Sequence, residues 1–136
     1  MNLRAREFAK KWQEKWFGFW ADEERVRSQP FSWEDHIDES WHPEDRDKLI
    51  DYLRNAPIAL VAQQKAKKCP LCGDPIFGSC YRSDGDWLWT DPVAHYVGKH
   101  RCILPDRLVE HIRSKHHRPP TNISSNFKVL PWPTPL

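Results

Sequence analysis

Cys69-Pro70-Leu71-Cys72-Gly73 places two thiols two residues apart with a glycine directly behind them. Two thiolates at that spacing can grip one ion, and Gly73 permits the tight turn that brings them together. This knuckle supplies half of a tetrahedron. The other half is expected from the next helix, where His95 and His100 are separated by four residues, a spacing found in Cys2His2 sites. Helix residues advance by about 100° each, so five steps carry the two imidazoles off a common face unless the last turn loosens. Gly98 lies where loosening is easiest.

A mixed thiolate and imidazole tetrahedron favours Zn2+ over iron or copper. Four protein donors leave no open position, so Cys69, Cys72, His95 and His100 are expected to form a closed, structural site. Binding of the ion is then folding energy, and chelation is expected to unravel at least the C-terminal half. Cys80 and Cys102 are rival ligands, either of which would make the set Cys3His. A redox-active or merely packed C-x-x-C is the remaining alternative. His111, His116 and His117 are expected to be solvated histidines at a helix end, where the dipole favours them.

The net charge of +2 hides two opposed blocks. Asp22 to Asp51 carries eleven carboxylates against four Lys or Arg, a net of −7, and the rest of the chain is net +9. At 136 residues the chain suits one domain, and eight Trp, six Phe and three Tyr compensate for a hydrophobic share of only 39% in closing a core. No apolar run approaches membrane-spanning length and Met1-Asn2-Leu3-Arg4 leads straight into charge, so a cytoplasmic protein without membrane contact is expected. In a reducing compartment the four cysteines point to metal ligands or free thiols.

Phe8, Trp12, Trp16 and Trp20 recur at steps of four, which predicts an amphipathic helix over residues 3–20. Ser32-Trp33-Glu34-Asp35 resembles a capping box, and Pro43 with Glu44 and Asp45 predicts a second helix over 43–54. Residues 58–62 suit a strand. Residues 76–81 and 87–89 around Ser83-Asp84-Gly85-Asp86 read as a β-hairpin. Thr90 or Asp91 is expected to cap a helix that begins at Pro92, and Leu104-Pro105-Asp106 starts another. The fold class is therefore α+β: a helical, acidic-rich segment over 1–56 packs on a zinc-stabilised, finger-like hairpin and helix unit over 57–118. An irregular, proline-rich tail over 119–136 follows, with Phe127, Val129, Leu130 and Trp132 favouring a tail that drapes over the domain.

Cys69, Cys72 and Gly73, then Ser83-Asp84-Gly85, Trp87 and Trp89, then His95-Tyr96-Val97, His100 and Leu104-Pro105 together resemble an uncharacterised family of small bacterial proteins. That family's pattern is a C-x-x-C-G knuckle, a T/S-D-G turn, an aromatic with Trp two residues on, H-Y-V-x-x-H and L-P. The resemblance covers about a third of the chain. It implies Cys69, Cys72, His95 and His100 as ligands, because the family has no cysteine where Cys80 and Cys102 stand. Thr90-Asp91-Pro92 departs from it, since the family puts Pro directly after the Trp. It carries no settled function.

The acidic block suggests a protein-binding module of the immunity or antitoxin kind, in which Trp33, Glu34, Asp35, Asp38, Glu39 and Trp41 plug the basic site of a toxin or nuclease. The alternative is nucleic-acid binding through Lys65, Lys67, Lys68, Lys99, Arg101, Arg107, Arg113, Lys115 and Arg118. Against it, Pro92, Val93 and Tyr96 occupy the positions of a finger helix that would read bases. No nucleophile elbow, phosphate loop or H-E-x-x-H is present, so an enzyme is not expected.

Overall fold

The computed structural model describes residues 2–18, 36–61, 67–69, 71–76 and 80–123. Asn2 opens the first helix, α1 (Leu3–Lys11), by accepting the Ala5 N–H on its side-chain oxygen at 3.1 Å, while its amide donates to the Ile37 carbonyl. The helix stops at Trp12, where the backbone turns extended, and Trp16–Phe17 form a strand, β1. This corrects the helix expected over 3–20. A step of four is even as well as close to one helical turn, so the aromatic row satisfies both periods. Pairing decides between them: β1 lies parallel to a later strand, and Trp12 folds back to donate its indole N–H to the Trp16 carbonyl at 2.9 Å. The two indoles meet edge to face at 5.0 Å. Trp20 and the capping box at 32–35 lie outside the described residues.

Residues 36–38 run alongside residues 101–103, with Asp38 N–H donating to the Arg101 carbonyl and Ile103 N–H to that of His36. The second helix, α2 (Arg46–Asn55), begins three residues later than Pro43 suggested, after a turn at Glu44 and Asp45. It buries Leu49, Ile50, Tyr52 and Leu53 on one side. Ala56 is extended, and β2 (Ile58–Val61) follows. The knuckle then forms its own hairpin from β3 (Lys67–Lys68) and β4 (Pro75–Ile76), so Ile76 pairs with Lys67 rather than entering the larger hairpin. That larger hairpin is β5 (Cys80–Ser83) and β6 (Leu88–Thr90). The sheet order is β1-β6-β5-β2, parallel at the first pair and antiparallel elsewhere.

Two helices complete the α+β fold, α3 (Val93–His100) and α4 (Asp106–Ser114). Neither Thr90 nor Asp91 caps α3 with its side chain. Thr90 instead donates to the Gly18 carbonyl across the sheet, and Asp91 pairs with Arg82. Leu49 and Leu53 from α2, Val93, Tyr96 and Val97 from α3, and Leu108 and Ile112 from α4 close one apolar core around Trp89. The Trp89 indole is fully buried and donates to the Leu53 carbonyl at 3.1 Å, so its one polar atom is satisfied within the core.

The end of α4 is tied to the start of α2. Arg113 grips Asp45 with two bonds of 2.8 Å, and His116 and His117 take left-handed backbone angles that return the His117 ring to the same carboxylate at 2.8 Å. His117 is therefore not the solvated histidine expected from its place in the sequence. Among the described residues no helix is long and apolar enough to cross a membrane. Of the tail, only residues 119–123 are described, so the expected draping of Phe127, Val129, Leu130 and Trp132 lies outside them.

Gly18 has φ +91°, and a β-carbon there would collide with the side chains of Val93 and Thr90. Gly18→Ala is expected to lower stability by about 2 kcal/mol or more, read as a lower urea midpoint at unchanged slope. Asp45 supplies a second test. The Arg113 guanidinium beside it, with help from His117, holds its carboxyl far below the ordinary value of 3.8 despite partial burial. A carboxyl depressed on folding stabilises fully above its unfolded value and loses that contribution as pH falls below it. Unfolding free energy should therefore drop as pH falls from about 5 towards 2, and Arg113→Ala should be less stable at neutral pH with a shallower acid limb.

Candidate metal centre

The knuckle is shaped by two backbone bonds: Gly73 N–H donates to the Cys69 carbonyl at 2.8 Å and Cys69 N–H to the Asp74 carbonyl at 2.7 Å. Gly73 has φ +78°, a backbone angle in which glycine meets no steric penalty. The chain reverses there, and Cys69 and Cys72 both face α3. Cys69 is buried, and Cys72 sits half-buried at the rim.

The histidines arrive from opposite ends of α3. Its last turn opens: the N–H groups of Arg101 and Cys102 both bond the Tyr96 carbonyl, five and six residues back, and Arg101 is left-handed at φ 53°. Arg46 reaches from α2 to donate to the carbonyls of Val97 and Gly98 at 2.8 and 2.7 Å, satisfying acceptors that the helix end leaves free. The His95 and His100 rings lie 5.2 Å apart. Cys69 Sγ is 3.5 Å from His100 Nε2, and Cys72 Sγ is 3.4 Å from His95 Nε2.

One donor atom from each of Cys69, Cys72, His95 and His100 falls within 4.8 Å of all the others, close enough to hold a metal ion. All four residues singled out in the sequence are thus brought together. The rival cysteines are not. Cys80 lies in β5, and Cys102 is wholly buried with its sulfur against the Ile103 carbonyl. Burial holds both imidazoles below their ordinary value, which keeps them in the neutral form that binds metals. Desolvation, joined by the neighbouring Cys69, raises the Cys72 thiol, so a cation is what would make two thiolates tolerable here. Lys99 and Asp74 form an ion pair of 2.8 Å between helix and knuckle.

A second group, Asp84, Asp86 and His111, also gathers possible ligands. Its hydrogen bonds account for it without an ion. Asp84 accepts the N–H groups of Asp86 and Trp87 on one oxygen, and the Tyr52 hydroxyl at 2.6 Å and His111 Nε2 at 2.7 Å on the other. His111 is therefore a latch between α4 and the turn before β6, a correction of the solvated histidine expected there. An acidic turn followed by a histidine in the last helix was the available sequence signal, but only tertiary packing joins them.

The six residues expected to bind a partner separate. Trp33, Glu34 and Asp35 lie outside the described residues. Asp38 is internal at 2% exposure, where Arg6 and Ser40 together outweigh the burial that opposes its ionisation. Trp41 is partly buried against the core, and Glu39 remains exposed. Asp38 is thus internal in this fold, whereas Trp41 keeps partial exposure.

Removal of a metal from this site should act locally before it acts globally. Among the described residues, the apolar core of α2, α3, α4 and β6 takes in only Cys69, Ile76 and the edge of Cys72 from the knuckle. With a strong chelator, amide exchange is expected to accelerate first in residues 67–76 and the last turn of α3, and the thermal midpoint to fall. Exchange that is unaltered there by chelation would contradict a metal-bound knuckle. No family model, curated protein or solved structure matches this chain, so the site stands on its own geometry.

Proposed function

We propose that this chain is a small protein-binding module in which a structural zinc ion fixes the knuckle to α3. The observation that carries the zinc assignment is the pair of sulfur-to-nitrogen separations. A tetrahedral ion with Zn–S of about 2.3 Å and Zn–N of about 2.0–2.1 Å requires an edge of about 3.5 Å between the two donors. The separations are 3.5 and 3.4 Å. Two thiolates with two imidazoles suit zinc in preference to magnesium or calcium, which take oxygen. Four protein donors fill the tetrahedron, so this zinc organises structure and the protein works by binding instead of catalysis.

The charge left uncompensated favours a basic protein as partner. Glu39, Glu44, Asp47 and Asp51 are exposed, and none is ion-paired among the described residues. Several bases needed for nucleic-acid binding are already engaged: Lys99 with Asp74, Arg113 with Asp45, and Lys115 within 3.9 Å of Asp86. Clustered phosphate contacts need free cations, which weighs against that alternative. The reading is therefore an immunity, antitoxin or inhibitor type of protein, acting in the cytoplasm on a basic toxin or nuclease. Glu34 and Asp35 belong to the same acidic block in the sequence.

Its test is a triple variant, Glu44→Lys, Asp47→Lys and Asp51→Lys. A basic host protein should be retained by the wild type at low salt and lost by the variant, with unchanged circular dichroism. In a salt-titrated gel shift neither duplex nor single-stranded DNA should bind at physiological salt. DNA retention that declines steeply with salt would instead establish the nucleic-acid reading.

A further inference from the structure

We propose that Cys69 and Cys72 are a peroxide-sensitive release device for the zinc ion, an inference that rests on the zinc reading above. The two sulfurs belong to one cluster in which every donor atom lies within 4.8 Å of the others. They sit on one tight turn, closed by the Gly73 N–H on the Cys69 carbonyl, with two residues between them in the chain.

The two thiols are not equivalent. Cys69 is only 2% exposed, whereas Cys72 is half-buried at the rim and open to a small solute. Lys99, itself exposed, pairs at 2.8 Å with Asp74, two residues beyond Cys72 on the knuckle. Its positive charge, held at the knuckle by that pair, favours the oxygen anion that leaves the peroxide. Cys80 and Cys102 are buried elsewhere, which leaves Cys69 as the resolving thiol.

The chemistry balances with a hydroperoxide as oxidant. The Cys72 thiolate attacks one peroxide oxygen, the O–O bond breaks, and the departing oxygen takes a proton from water. Cys72 becomes a sulfenic acid, and the peroxide has gained the two electrons that the sulfur lost. The Cys69 thiolate then attacks the Cys72 sulfur, the S–S bond forms, the S–O bond breaks, and hydroxide leaves to be protonated by water. Two thiolates, one hydrogen peroxide and two protons give one disulfide and two waters. A disulfide lacks the thiolate charge that held the ion, and two imidazoles alone hold it weakly. The zinc departs, and a dithiol reductant with added zinc restores the site.

The test uses the whole chain as purified, assayed for zinc before any oxidant is added. Hydrogen peroxide in the presence of a chromogenic chelator should release one equivalent of zinc and lower the intact mass by two hydrogens. Peptide mapping should place the disulfide between Cys69 and Cys72, and a dithiol should reverse it. Lys99→Gln keeps all four ligands and should bind zinc fully yet release it several-fold more slowly, while Cys80→Ser should release it like the wild type. Retention of zinc at peroxide levels that oxidise free cysteine would overturn the proposal, as would zinc loss with sulfonic acids and no such disulfide. An unchanged rate in Lys99→Gln would contradict the role of that ammonium. A folded protein that carries no zinc at the outset would overturn the zinc reading and this one together.

Discussion

The contact between the knuckle and α3, made at both ends of that helix, is the interaction on which the site depends. Its hairpin has strands of two residues each, too short to be stable unsupported. What ties it to the remainder is the close approach of Cys69 and Cys72 to His100 and His95, together with the exposed Lys99 and Asp74 pair. An exposed ion pair contributes little. A metal ion bonded to all four side chains would contribute far more, and it gives a reason for the unwound end of α3, since an ordinary helix sets residues five apart on different faces.

Around this centre the fold uses charge as a set of latches. Arg46 caps the end of α3 from α2, Arg113 and His117 bind Asp45 at the start of α2, and His111 joins Tyr52 on Asp84. Each links elements distant in sequence, and each carboxylate gains the hydrogen bonds that a buried or half-buried charge requires. The same partnerships consume cations that would otherwise face solvent. They leave Glu39, Glu44, Asp47 and Asp51 exposed and without an ion pair among the described residues, which is what directs the functional proposal towards a basic partner.

The gathering of Cys69, Cys72, His95 and His100 was legible because metal chemistry imposes short, local spacings: a C-x-x-C-G turn and two histidines on the following helix need little tertiary knowledge. The starts of α3 and α4 were similarly visible at Pro92 and Pro105. Strand β1 was not, because Trp12 and Trp16 at an even spacing fit a helix or a strand, and the choice falls to pairing with Leu88 and Trp89. Asp38 was misplaced for another reason. An acidic run reports composition, whereas the position of Arg6 on α1 decides which of its carboxylates turns inward. The pairings of His111 and His117 likewise depend on how α4 packs, and nothing in their local sequence announces it.

Native mass spectrometry of the intact, folded protein measures the central claim most directly. One zinc ion per chain is expected, lost when both Cys69 and Cys72 are replaced by Ser and retained when Cys80 is. A folded wild-type chain whose mass matches the bare polypeptide would contradict it.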